Sequence, residues 1–107
     1  MRGDTEVLRH LNAVLTNELT AVNQYFLHSK LCANWGYQRL AEHARHESID
    51  EMKDAEAVID RILLLDGHPN LQRIGTVTAG ETVPEQFALD AELERTAITR
   101  LRRGIEQ

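Results

Sequence analysis

Three stretches of helical periodicity in this sequence each carry a carboxylate where an apolar residue is expected. In the first, the inward positions read Leu8, Leu11, Leu15, Glu18, Val22 and Tyr25, a coiled-coil-like seam with Glu18 inside it. In the second they read Leu40, Ala44, Glu47, Glu51, Ala55, Val58, Ile62 and Leu65, with Asp54 three residues beyond Glu51. In the third they read Phe87, Ala91, Glu94, Ile98, Leu101 and Ile105. An unpaired carboxylate inside an apolar stripe is costly, and several together repel one another. Few basic residues share these stripes, so a metal cation with oxygen ligands is the natural counter-charge. Bundle cores hold pairs of metal ions in this way, with Glu from some helices and Glu-x-x-His from others. On one helix alone, such an acid would read as a solvated residue on a mis-phased stripe. The same substitution at mid-length on three helices favours the cation.

Other groups have candidate chemistry of their own. His46 and Asp50 lie one turn apart and form a second possible metal pair, the alternative being a solvated i,i+4 contact. Leu19, Asn23 and Phe26 line a second face of the first helix, and Ile49, Met52 and Ile59 a similar face of the second. A helix with two apolar faces usually packs on a second partner, so a dimer interface is expected there. Met52 carries a soft thioether that can hold haem iron, and it can equally fill an interface gap. Trp35 and Tyr25 are packing groups with a possible role in relaying electrons, and Cys32 is a packing or surface residue.

The elements that must position these groups follow from caps and breakers. The first helix is expected from about Asp4 to Asn34, capped by Asp4 or Thr5 and stopped by Gly36. The second is expected from about Tyr37 to Asp66, with Gly67 as a left-handed stop and Pro69 beyond it. Each has about 30 residues and so spans about 45 Å, the length of a bundle helix. The connection from His68 to Glu81 contains Pro69, Asn70, Gly75, Gly80 and the β-prone run Thr76-Val77-Thr78. Its length suits a crossover along a bundle. The third helix is expected to begin at Thr82-Val83-Pro84-Glu85, with Thr82 as cap and Glu85 completing a capping box, and to run to about Arg103.

Composition sets outer bounds. The 107 residues make one domain at most. A net charge of −5 argues against a nucleic-acid partner and suits a protein that attracts cations. The single cysteine permits no internal disulfide, which fits a reducing cytoplasm. The N-terminus MRGDTEVLRHLN has no apolar signal region, and no run of about 18 apolar residues is long enough to span a membrane.

The residues also resemble a known family. Met1-Arg2-Gly3-Asp4, Leu11-Asn12 and the stretch Asn17-Glu18-Leu19-Thr20-Ala21-Val22-Asn23-Gln24-Tyr25-Phe26-Leu27-His28 are similar to bacterioferritin. So are His46-Glu47-Ser48-Ile49-Asp50-Glu51-Met52, Arg61-Ile62-Leu63-Leu64-Leu65-Asp66-Gly67 and Pro69-Asn70-Leu71-Gln72. The resemblance covers the whole chain and is to the N-terminal portion of that family, through its third helix. It implies an all-α, ferritin-like up-down bundle with a long crossover, three of the usual four helices being present in a single domain of residues 1–107. It further implies a 24-subunit cytoplasmic cage storing ferric mineral, a di-iron ferroxidase centre in each subunit, and haem b on a two-fold axis between subunits. An iron-release ferredoxin is an implied partner.

Carried onto this chain, the resemblance makes Glu18, Glu51 and Glu94 iron ligands of that centre. Asp54 stands at a further ligand position. Met52 becomes the haem ligand, with Leu19, Asn23 and Phe26 around it. His46 and Asp50 match an iron site facing the cavity, and Tyr25 an aromatic residue beside the di-iron centre. Two departures matter. The family has His where this chain has Asp54, and the chain stops before the fourth helix that brings the second half of the ligands. The resulting expectation is an iron storage and detoxification subunit that binds iron and haem b with impaired ferroxidase activity, in a homo- or hetero-oligomeric cage. The alternatives are a ferroxidase oxidising Fe(II) to Fe(III) at a site completed by another chain, and a non-catalytic structural fragment or partner subunit.

Overall fold

The computed structural model describes the backbone of residues 4–106 and the surroundings of side chains 4–96. It contains three helices, α1 (Thr5–Asn34), α2 (Gln38–Leu64) and α3 (Val83–Glu106), and no strand occurs among the described residues. The expected β-prone run 76–78 is irregular chain within the crossover. The molecule's longest dimension is 49 Å, close to the length of α1.

Capping sets the helix boundaries. Asp4 accepts from the Glu6 backbone N–H at 3.0 Å and starts α1. At the other end Gly36, at φ 88°, closes α1 with a Schellman motif: Tyr37 N–H donates to Cys32 O and Gly36 N–H to Ala33 O. The same motif ends α2, with one correction to the sequence reading. The left-handed residue is Asp66, at φ 58°, and not Gly67. Gly67 instead supplies the N–H that bonds Ile62 O at 2.9 Å. The approach is close: a Cβ on Gly67 would lie 2.5 Å from Leu8 Cδ2 and would force the Leu8 side chain to shift. Thr82 caps α3 by accepting from the Glu85 N–H at 3.3 Å.

The turn at 35–37 folds α2 back along α1. Ser29 Oγ donates to Ala41 O at 2.7 Å and Ser48 Oγ to Val22 O at 2.8 Å, which fixes the antiparallel register. The core lies between these two helices. Leu15, Ala55 and Ile62 are buried at its centre, and Leu8, Leu11, Leu19, Val58 and Ile59 pack around them. The expected seams of α1 and α2 are therefore the buried ones.

The crossover is held by a polar row on α1. Asn12, Thr16, Thr20, Gln24 and His28 recur every four residues and so share one helix face. Asn12 Oδ1 accepts from Asn70 N at 2.8 Å, Thr20 Oγ1 from Gly75 N at 2.8 Å, Gln24 Oε1 from Thr78 N at 3.1 Å, and His28 Nε2 from Gly80 N at 2.9 Å. Backbone donors that a strandless segment would otherwise leave to water are thus satisfied in order along the helix.

That row also corrects the expected phase of α3. Phe87, Ala91 and Glu94 are exposed, whereas Gln86 is buried and Val83, Asp90 and Leu93 are half-buried. α3 packs on α1, and the α1 face it meets is polar at Gln24, His28 and Cys32, so polar residues turn inward. The remaining seam positions, Ile98, Leu101 and Ile105, have side chains outside the described residues.

Candidate metal centre

The α1–α2 register brings the middle of the two helices level, and with it three carboxylates. Glu18 from α1 and Glu51 and Asp54 from α2 place ligand atoms within 4.8 Å of one another. Among the described residues this is the group of acids, histidines and cysteines with metal-ligand spacing, and every donor in it is an oxygen. Asp54 is exposed, and Glu18 and Glu51 are half-buried, so the group opens toward solvent on one side.

Two features mark this group as electrostatically unfinished. Glu18 Oε2 is buried and has no hydrogen-bond partner. Burial, a proton shared with Glu18, and the charges of Glu18, Glu94 and Asp54 push the Glu51 carboxyl up to about 9. A cation placed between the carboxylates would supply the missing partner and lower that proton affinity. The donor set therefore fits a hard or borderline metal ion.

Glu94 approaches from α3. Its carboxylate accepts the Tyr25 hydroxyl at 2.5 Å, and its charge contributes to raising Glu51. It stands outside the tight group of three. Tyr25 is 1% exposed, and burial, followed by the Glu94 hydrogen bond and charge, holds its phenol well above the usual range. Glu47, which shares the α2 seam, is half-buried and bonds His43 at 2.9 Å. Burial raises its carboxyl, against the opposing pull of His43.

The other sequence-derived candidates lie apart from the carboxylates. His46 and Asp50 are both exposed on α2 and do not join the group. Met52 is 56% exposed and Phe26 50%, with Ile49 also exposed nearby in sequence. Asn23 is exposed and donates to Leu19 O at 2.9 Å, while Leu19 is half-buried against the core. Met52 and Phe26 thus sit on the surface rather than in the core.

Sequence reasoning missed Gln24, His28 and Asp90. Asp90 accepts from Gln24 Nε2 at 2.9 Å through Oδ1 and from His28 Nδ1 at 3.3 Å through Oδ2. It also missed the contact of Cys32 Sγ with Gln86 Oε1, while Gln86 Nε2 donates to Gly80 O. The available signal was the four-residue recurrence of polar residues on α1, which runs beside the apolar seam.

Comparison with known proteins agrees with this architecture. The family described as a ferritin-like domain matches residues 8–107. A bacterioferritin of Mycobacterium leprae is 59% identical over 105 residues, which cover 98% of this chain and 66% of that protein. A bacterioferritin of Streptomyces coelicolor is 58% identical over 106 residues, covering 99% of this chain and 64% of that protein. One from Rhodobacter capsulatus is 44% identical over 98 residues, covering 92% of this chain and 61% of the relative. The chain thus spans just under two thirds of the length of these relatives. A family match over nearly all of the chain, on an all-helical fold with a long crossover, shows that the chain belongs to the ferritin-like family.

Proposed function

We propose that this chain is an iron-binding subunit of a bacterioferritin-like storage cage. The observation that carries the reading is the group Glu18, Glu51 and Asp54, with ligand atoms within 4.8 Å and one buried oxygen lacking a partner. Carboxylate oxygens at half-buried positions bind a divalent or trivalent cation by supplying both charge and ligands. Glu94, held by Tyr25, is the nearest acid on α3 and completes the set this chain offers. Iron is the cargo here, bound by carboxylate oxygens on its way to the mineral. His46 and Asp50, exposed one turn apart, form a transfer site on the cavity side.

Iron oxidation by the chain alone is impaired in this reading. Asp54 is shorter than an imidazole and brings negative charge, so Glu18, Glu51 and Asp54 hold cations firmly without the mixed donor set of the resemblance. A ferroxidase completed by ligands from another chain is the second reading. The half-open group and the exposed Glu94 favour it, since both leave room for further ligands.

The exposed face at Phe26, Ile49 and Met52 is proposed as half of a two-fold haem site, with Leu19 and Asn23 at its edge. Bound there, haem b would supply a one-electron centre between subunits. Met52 would be the residue that holds its iron, and Phe26 would cover the macrocycle from water. The cage is proposed as cytoplasmic. No described helix is long and apolar enough to cross a membrane. An iron-release ferredoxin remains a proposed partner on the strength of the resemblance.

Aerobic addition of Fe(II) to the purified chain tests the reading. Iron is expected to be retained with the protein, with oxidation no more than a few-fold faster than in buffer. Rapid stoichiometric oxidation by the chain alone would favour the second reading, and no retention of iron would overturn both. Haem titration with Met52→Ala as control tests the intersubunit site separately.

A further inference from the structure

α2 and α3 make no close backbone approach to each other among the described residues; each packs on α1. The position of Glu94 relative to Glu18 and Glu51 is therefore set by how α3 is seated on α1. That seat is polar and centred one turn before Glu94. Asp90 accepts from Gln24 Nε2 at 2.9 Å through Oδ1 and from His28 Nδ1 at 3.3 Å through Oδ2, and one turn later Glu94 accepts the Tyr25 hydroxyl.

His28 is 1% exposed and has both ring nitrogens engaged. Nε2 accepts from the Gly80 N–H at 2.9 Å, which leaves the ring proton on Nδ1, facing Asp90. The imidazole thus joins the end of the crossover to α3. The joint leaves little slack, because a Cβ on Gly80 would lie 2.6 Å from the Gln86 backbone nitrogen. Removing the donors from Asp90 would leave a half-buried carboxylate with the charge of Glu47 in reach, which favours outward movement of α3.

We propose that His28 and Asp90 are positioning residues that seat α3 on α1 and thereby set where Glu94 presents its carboxylate to the metal group. The role rests on the metal-binding reading above. Neither residue touches the metal. Their contribution is that of outer-shell partners, whose loss typically costs about 10- to 100-fold in metal affinity.

The test uses the full chain carrying Tyr37→Phe, which leaves Tyr25 as the sole tyrosine. Ultraviolet resonance Raman reports the hydrogen bond of the Tyr25 phenol without metal, and Co(II) titration by visible absorption reports the site. His28→Gln, whose amide can accept from Gly80 and donate to Asp90, is expected to keep the Tyr25 signature and to bind Co(II) within about 3-fold of the parent. His28→Leu and Asp90→Ala are expected to give the signature of Glu94→Ala and to weaken Co(II) by about 10-fold or more. Asp90→Asn, which keeps one acceptor oxygen, is expected to fall between and serves if His28→Leu does not fold. An unchanged Tyr25 signature and unchanged Co(II) affinity in folded His28→Leu or Asp90→Ala, with only a lower Tm, would overturn the proposal. So would His28→Gln failing as fully as His28→Leu. Absence of Co(II) binding in the parent would sink the metal reading, and the Tyr25 signature would still decide whether the pair seats α3.

Discussion

Glu18 and Glu51 bring carboxylate oxygens within 4.8 Å of each other across the α1–α2 interface, and Glu18 Oε2 is buried without a hydrogen-bond partner. This pair makes the metal-free chain sensitive to pH. The folded chain holds a proton on Glu51 up to about 9, whereas an unfolded chain releases it near 4.5. Between those values the folded state binds more protons than the unfolded state, so stability falls as pH rises. Urea denaturation with chelator present should show the wild type losing stability from pH 6 to 9 relative to Glu51→Gln, which cannot ionise. Saturating divalent metal should remove that slope.

Asp54 is expected to set the metal preference of the group. With Glu18, Glu51 and Asp54 all offering oxygen, the group suits Mn(II), whereas an imidazole favours Zn(II). Asp54→His is expected to raise the affinity for Zn(II) by about 10-fold and leave that for Mn(II) within a few-fold. Competition calorimetry with the two metals measures the ratio, and an unchanged ratio would remove Asp54 from the ligand set.

Gly80 is the tightest point of the crossover. Gly80→Ala places a Cβ 2.6 Å from the Gln86 backbone nitrogen and 2.8 Å from its Cα, atoms that move only if α3 moves. The expected cost is about 2 kcal/mol or more, with faster amide exchange at the start of α3. Thermal denaturation and hydrogen exchange check the two parts.

Ile62 is fully buried beside Leu15 and Ala55, within the α1–α2 core. Ile62→Ala should cost about 2–5 kcal/mol by creating a cavity. Solvent denaturation gives the value, and because Ile62 lies away from the carboxylates, metal affinity of the folded fraction should be unchanged.

Much of this architecture was legible in the sequence. Helical periodicity located the α1 and α2 seams because both stripes face the same dry interface, and Glu18 and Glu51 were conspicuous there as acids among apolar residues. The three helices, the crossover and the family were all readable from caps, breakers and matching stretches. The phase of α3 was not. Phe87 and Ala91 continue the pattern but are exposed, because α3 meets a row of polar residues on α1 and turns Gln86 and Asp90 inward, while Glu94 keeps its contact with Tyr25. Hydropathy cannot reveal a contact made by hydrogen bonds between buried polar groups. Gly67 misled for a related reason: glycine marks either a left-handed backbone or a close approach, and here Asp66 takes the first role and Gly67 the second.

The central claim is that Glu18 and Glu51 bind metal as a pair from two helices. Anaerobic titration of the full chain with Fe(II) by calorimetry, set beside Glu18→Gln and Glu51→Gln, tests it most directly. Saturable binding by the parent, weakened by more than about 10-fold in each variant while the helical fold is retained, is the expected result. Isotherms that superimpose for all three proteins would contradict it.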